Sequence, residues 1–166
     1  MSLKQSLNAL ATVAMVLLGG SGEAQLAKQG TYGARFYYQL HETMYTLEND
    51  HYFLVGELRG TFFNDAGEGF LHRASAVCPG VRDIVKGIAQ VQRYCVVTDE
   101  DDDRAWLVYK CKGPDPCDGE AQWLGGTGKY KGLKGRHTIH SVGLGMGDRG
   151  ESKGYAILKG EWQLQD

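Results

Sequence analysis

Tyr155-Ala-Ile-Leu-Lys-Gly-Glu-Trp-Gln-Leu164 is the stretch that decides the fold class. In an extended chain Ala156, Leu158, Gly160, Trp162 and Leu164 share one face, and Lys159, Glu161 and Gln163 the other. Side chains that alternate at period two mark a strand with one dry and one wet face. The same reading extends through most of the chain. Tyr52-Phe-Leu-Val-Gly-Glu-Leu58 leads through Thr61-Phe-Phe63 into the turn Asn64-Asp-Ala-Gly67, and Val91 to Val97 runs into the acidic stretch Thr98-Asp-Glu-Asp-Asp-Asp103. Arg104-Ala-Trp-Leu-Val-Tyr-Lys110 runs back out, which makes a hairpin with an acidic tip.

Counted this way the chain has eight strands, at 31–47, 51–63, 68–78, 88–97, 104–112, 119–126, 134–142 and 154–164, the first with a break expected near His41. The only helical hint is Val81-Arg-Asp-Ile-Val-Lys86, too short to stand alone. Eight connected antiparallel strands imply an all-β fold, a closed up-and-down barrel with one short helical turn, because closure removes exposed edges. A two-sheet sandwich is the competing architecture. Glycine supports the barrel: 24 of 166 residues are glycine, and inside strands glycine marks the bulges and bends that a small barrel needs.

Composition bounds the rest. There are 18 Lys and Arg against 20 Asp and Glu, a net charge of −2, with 42% hydrophobic residues. That supports a core and excludes disorder by composition. The absence of a basic block argues against nucleic acid as a partner.

Residues 1–24 read as a secretory signal. Lys4 supplies the positive start, Ala9 to Leu18 the apolar run, and Gly22-Glu23-Ala24 the small residues at a cleavage point. The run is too short to cross a bilayer core of about 30 Å. Residues 25–166 then form one exported domain, periplasmic or secreted, with no membrane span in the mature chain.

Cys78, Cys95, Cys111 and Cys117 fit such a compartment as two disulfides. Cys111–Cys117 closes a turn-rich loop, and Cys78–Cys95 is symmetric about a loop over 79–87. The rival set, Cys95–Cys111 with Cys78–Cys117, needs a wider loop around Asp103. Zinc is disfavoured, since there is no Cys-x-x-Cys and His137 and His140 point to opposite faces of a strand. No metal or cofactor is assigned.

Gly125-Gly-Thr-Gly-Lys-Tyr-Lys-Gly-Leu-Lys-Gly135 suggests a phosphate loop, but a glycine-rich strand follows it where that motif needs a helix. The stretch resembles the Gly-Gly-Thr-Gly-x-[Tyr/Phe]-x-Gly-x-x-Gly segment of the allene oxide cyclase-like and dirigent-like barrel superfamily. Phe62 to Gly67, Cys78-Pro-Gly80 and Tyr94 to Asp99 extend the similarity, most narrowly to small exported bacterial proteins of that barrel. The resemblance implies an eight-stranded barrel, often oligomeric, with an apolar cavity; some members steer cyclisation or radical coupling by positioning a hydrophobic substrate. The cyclase's catalytic residues and the dirigent cavity aspartates have no match here, so no catalytic residue is assigned.

Candidate ligand-binding residues are Glu57 and His72, ionisable groups in apolar strands, with the aromatics Tyr94 and Trp106. The acidic run Asp99 to Asp103 lacks the spacing of a calcium loop and reads as a solvated tip. Ser141 has histidines nearby but no nucleophile elbow. Three functions follow: a barrel that binds a small hydrophobic molecule without catalysis, a cyclase or isomerase that positions its substrate, or a homo-oligomerising envelope protein.

Overall fold

The structure, a computed structural model, describes residues 26–146 and 151–165. The export signal expected over 1–24 lies outside the described residues. The strands are β1 (Gln29–Glu48), β2 (His51–Asn64), β3 (Ser75–Val85), β4 (Ile88–Thr98), β5 (Arg104–Gly113), β6 (Cys117–Gly126), β7 (Leu133–Met146) and β8 (Ser152–Leu164). They form a closed antiparallel barrel in sequential order. The last strand meets the first in a continuous ladder, from Gln29 opposite Gln163 to Leu40 opposite Ser152. The barrel read from the alternation is therefore the one that forms, and the sandwich is not. The first strand is unbroken at His41.

Alternation sets which way each side chain points. On β8, Ala156, Leu158 and Trp162 are buried in the interior, in phase with the pattern read from the sequence. On β2 the inward set is Leu54, Leu58 and Phe62. Gly80 on β3 shows why glycine is needed at one inward position: a Cβ there would sit 2.5 Å from Arg93 Cγ and 2.2 Å from the Gln92 carbonyl oxygen. Without a side chain, Gly80 lets Arg93 cross the interior.

Two expectations need correction. The residues at 81–86 are not helical; Val81 to Val85 continue β3, laddered against Val55 to His51 of β2. One turn of helix cannot outlast the loss of that ladder. Lys86 and Gly87 then form a two-residue hairpin with φ of 50° and 78°, the left-handed pair that a tight β-hairpin favours. The helical turn lies instead at Gly128–Tyr130, as a 3-10 turn.

The third strand starts at Ser75, not at 68. Residues 65–74 form a loop in which Gly67, Gly69, Leu71 and Arg73 all have positive φ, which no strand accommodates. The loop folds back onto β2, where the Phe62 N–H donates to the Ala74 carbonyl and the Arg73 N–H to the Phe62 carbonyl. Phe70, Leu71 and Ala74 are carried into the core.

The barrel has two unlike ends. The turns at 49–50, 86–87 and 114–116 crowd one end, where β7 also hands over to β8. The loops at 65–74, 99–103 and 127–132 cover the other, which is filled by aromatic rings. Phe70 stacks on Trp162 with ring centres 4.7 Å apart and planes 4° from parallel. It also meets Tyr32 at 5.0 Å, Trp123 at 5.6 Å and Tyr130 at 6.0 Å. This cluster forms the closed base.

Asp99 organises the acidic tip at the base: its Oδ1 accepts the N–H groups of Asp101 and Asp103, and its Oδ2 pairs with Lys129 Nζ at 2.8 Å. The Asp103 carboxylate in turn accepts the Lys129 backbone N–H at 3.0 Å, in space that a side chain on Gly128 would fill. The glycine-rich motif thus receives the protein's own carboxylate, not a phosphate.

Candidate functional site

The turn-lined end opens into a cavity of about 420 Å³. Its walls combine an aliphatic part, with Leu40, Leu54, Leu58, Val91 and Ala89, and a polar part with charged and hydroxyl side chains. Below it lies a neck of about 30 Å³, lined by Phe36, Phe62, Leu107, Ile139 and the Cys78–Cys95 pair. Tyr38, Leu58, Tyr109 and Ser141 border both spaces. The barrel is therefore a blind cup: a roomy mouth, a narrow neck and an aromatic base.

Besides Asp115 and Lys153, the charged lining of this cup is one bonded cluster. Glu42 on β1 bonds through one carboxylate oxygen to Arg93 on β4 and through the other to Arg82 on β3. Exposure of the side chains is 4% for Glu42, 2% for Arg93 and 29% for Arg82. Arg93 Nη1 also donates to the carbonyls of Gly56 at 3.1 Å and Cys78 at 3.3 Å, so its guanidinium is consumed by the wall. Arg82 is not: its Nε is buried and has no hydrogen-bond partner.

Two tyrosines stand beside the cluster. Tyr38 shares a hydrogen bond of 2.8 Å with Ser141 Oγ. Burial raises its phenol above the ordinary tyrosine range, and raises that of Tyr109 too. Both are neutral hydroxyl groups at physiological pH.

Toward the base, Trp123 Nε1 donates to the Tyr32 hydroxyl at 3.2 Å, and that hydroxyl is 2.7 Å from His137 Nδ1. An indole N–H can only donate, so Tyr32 accepts from Trp123, and its O–H is free to donate to His137 Nδ1 in the tautomer that leaves that nitrogen unprotonated. Burial holds His137 down at about 4, neutral at physiological pH.

The four residues singled out in the sequence lie elsewhere. Glu57 is on the outward parity of β2 and pairs with Arg59 at 2.5 Å. His72 is in the loop over 65–74, its ring 6.1 Å from the exposed Phe63. Tyr94 is 54% exposed on the outside of β4. Trp106 packs outside over Gly125, where a Cβ would meet its Nε1 at 3.0 Å. None of them lines the cup, and the structure does not bring them together.

Glu42, Arg82 and Arg93 were missed by sequence reasoning. The signal was present: Arg93 is in phase with Val91 and Cys95, and Glu42 with Leu40. A charge on the dry parity of a strand has to find a partner inside.

Both favoured disulfides form, Cys78–Cys95 between facing strands and Cys111–Cys117 across the turn at 114–116. The second holds Pro114 and Asp115 at the lip of the mouth. Among the described residues no cluster of His, Cys, Asp or Glu is placed to hold a metal ion, and no helix is long and apolar enough to cross a membrane.

No protein-family model matches the sequence, and comparison with curated proteins finds no match. Among solved structures, the chain is similar to a pterocarpan synthase dirigent protein. The superposition has a TM-score of 0.56 and covers 86% of this chain and 90% of that one. The barrel is dirigent-like. At 11% identity the likeness is one of fold, and fold alone does not transfer an activity.

Proposed function

We propose that this chain binds a small, largely apolar molecule in the mouth of its barrel and holds it in one orientation, without supplying chemistry of its own. The observation that carries this reading is the blind, partly aliphatic cavity of about 420 Å³, a size typical of small-molecule sites. The dirigent-like fold supports it, because positioning a bound molecule needs only a shaped, rigid wall. The resemblance to allene oxide cyclase-like barrels fits the same reading. Two disulfides are consistent with export to the periplasm or medium.

A cyclase or isomerase is supported less well. It needs an ionisable group free to act inside the cup, yet Glu57 and His72 are outside and Glu42 is held by two arginines. A role in self-association has one supporting feature. Tyr37, Phe63 and Tyr155 form an outer aromatic patch, with Tyr37 6.0 Å from Phe63 and 6.2 Å from Tyr155.

The test has two arms. Native mass spectrometry of protein purified from its own host should show a co-purified small molecule. Titration with the neutral fluorophore N-phenyl-1-naphthylamine should show saturable uptake, abolished by Ala89→Trp, which fills the mouth. The absence of both a co-purified molecule and uptake by the unaltered protein would remove the binding reading. An oligomer in the same mass spectrum would favour self-association.

A further inference from the structure

We propose that the molecule held in the mouth is a small monoanion: an apolar body carrying one carboxylate, sulfonate or similar head group that docks on Arg82. This rests on the binding reading above and specifies its ligand class.

The argument starts from charge. The whole chain carries −2, yet the mouth has the opposite sign. Arg82, Arg93 and Lys153 line it against Glu42 and Asp115, an excess of one positive charge. Glu42 can cancel only one of the two guanidinium groups that converge on it. Asp115 spends one oxygen on the Gly143 N–H at 3.0 Å.

The excess is located by hydrogen bonding. Arg93 is engaged through both Nη atoms by Glu42 and two carbonyls and is sealed from solvent. Arg82 is partly exposed to the mouth, and its Nε is buried without an acceptor. A buried donor that lacks a partner costs stability, and an arginine offers its N–H groups in a fork that matches a flat anionic group. The hydrogen-bonded pair Tyr38 and Ser141 leaves one O–H free to donate, while the aliphatic part of the wall suits an apolar body. A neutral apolar molecule leaves the exposed part of the Arg82 guanidinium without an anion; a monoanion pairs with it and neutralises the mouth.

The test uses two fluorophores that differ by a single sulfonate, 1-anilinonaphthalene-8-sulfonate and neutral N-phenyl-1-naphthylamine. The sulfonate is expected to bind at least tenfold tighter than the neutral probe. Arg82→Gln should lower that ratio below threefold, and Arg82→Lys, which keeps the charge if the glutamine variant folds poorly, should retain most of it. Ala89→Trp should abolish uptake of both. Equal affinities, a preference for the neutral probe, a ratio unmoved by Arg82→Gln, or sulfonate uptake that survives Ala89→Trp would each overturn the charge assignment. If the neutral probe alone binds in the mouth, the binding reading stands and only the anion is wrong; if neither probe binds, both fall.

Discussion

The Glu42 carboxylate and the Arg93 guanidinium are bonded inside the barrel, 4% and 2% exposed, although two strands separate β1 from β4 in the wall. Each has given up water for the other. Removing one partner strands the remaining charge in a medium that cannot solvate it. Glu42→Gln is therefore expected to lower unfolding free energy by about 3–5 kcal/mol, measured by urea denaturation at neutral pH. A loss under about 1 kcal/mol would mean that the pair is far wetter than its burial indicates.

Acid should weaken the base of the cup. Folding holds His137 at about 4, against about 6.5 for an unfolded imidazole. The unfolded chain thus binds the extra proton first as pH falls. The stabilisation is complete above about pH 6.5 and fades down to about pH 4. The expected loss is about 2 kcal/mol by pH 5. His137→Gln removes the titration and keeps an acceptor for the Tyr32 hydroxyl, so its stability should be flatter over this window. Urea midpoints at pH 7 and pH 5 give the comparison.

Phe70 reaches the base from a loop, yet its ring stacks on Trp162 and touches three other rings. Phe70→Ala should cost about 3–5 kcal/mol, the usual range for removing a large aromatic from a packed site. Near-ultraviolet circular dichroism should lose tryptophan signal in the same variant. An unchanged spectrum and midpoint would show that the loop contributes nothing to the base.

The two disulfides should separate in effect. Cys78 and Cys95 are 17 residues apart and Cys111 and Cys117 only 6. Loop entropy favours the longer closure, worth about 3 kcal/mol. Replacing Cys78 and Cys95 together by alanine should therefore lower the melting temperature more than the same change at Cys111 and Cys117. The shorter loop holds the lip of the mouth, so its loss should weaken N-phenyl-1-naphthylamine uptake instead. Differential scanning calorimetry and probe titration on both double variants decide the matter.

The architecture was legible because a barrel wall is dry on one side, and Tyr155 to Leu164 displays that contrast residue by residue. The loop over 65–74 was not, since Gly-Phe-Leu in one-letter form has the same hydrophobicity whether φ is negative or positive. Of the residues singled out in the sequence, Glu57, Tyr94 and Trp106 lie on the outward parity of their strands and His72 in a loop. Glu57 drew attention as an ionisable residue among apolar ones, yet Leu54, Leu58 and Phe62 are the inward set of its strand. Glu42 meets Arg82 and Arg93 from 40 and 51 residues away. No local spacing carries such a pairing; it appears only once closure brings the strands around.

The crowding of tight turns at one end has an evolutionary side. Each links two strands that are already neighbours, so residues inserted there lengthen one arc of the rim without shifting the register of any other pair. A lineage built on this chain is free to narrow, widen or hood its entrance piecemeal, while the aromatic floor, assembled from distant segments, tolerates no such revision.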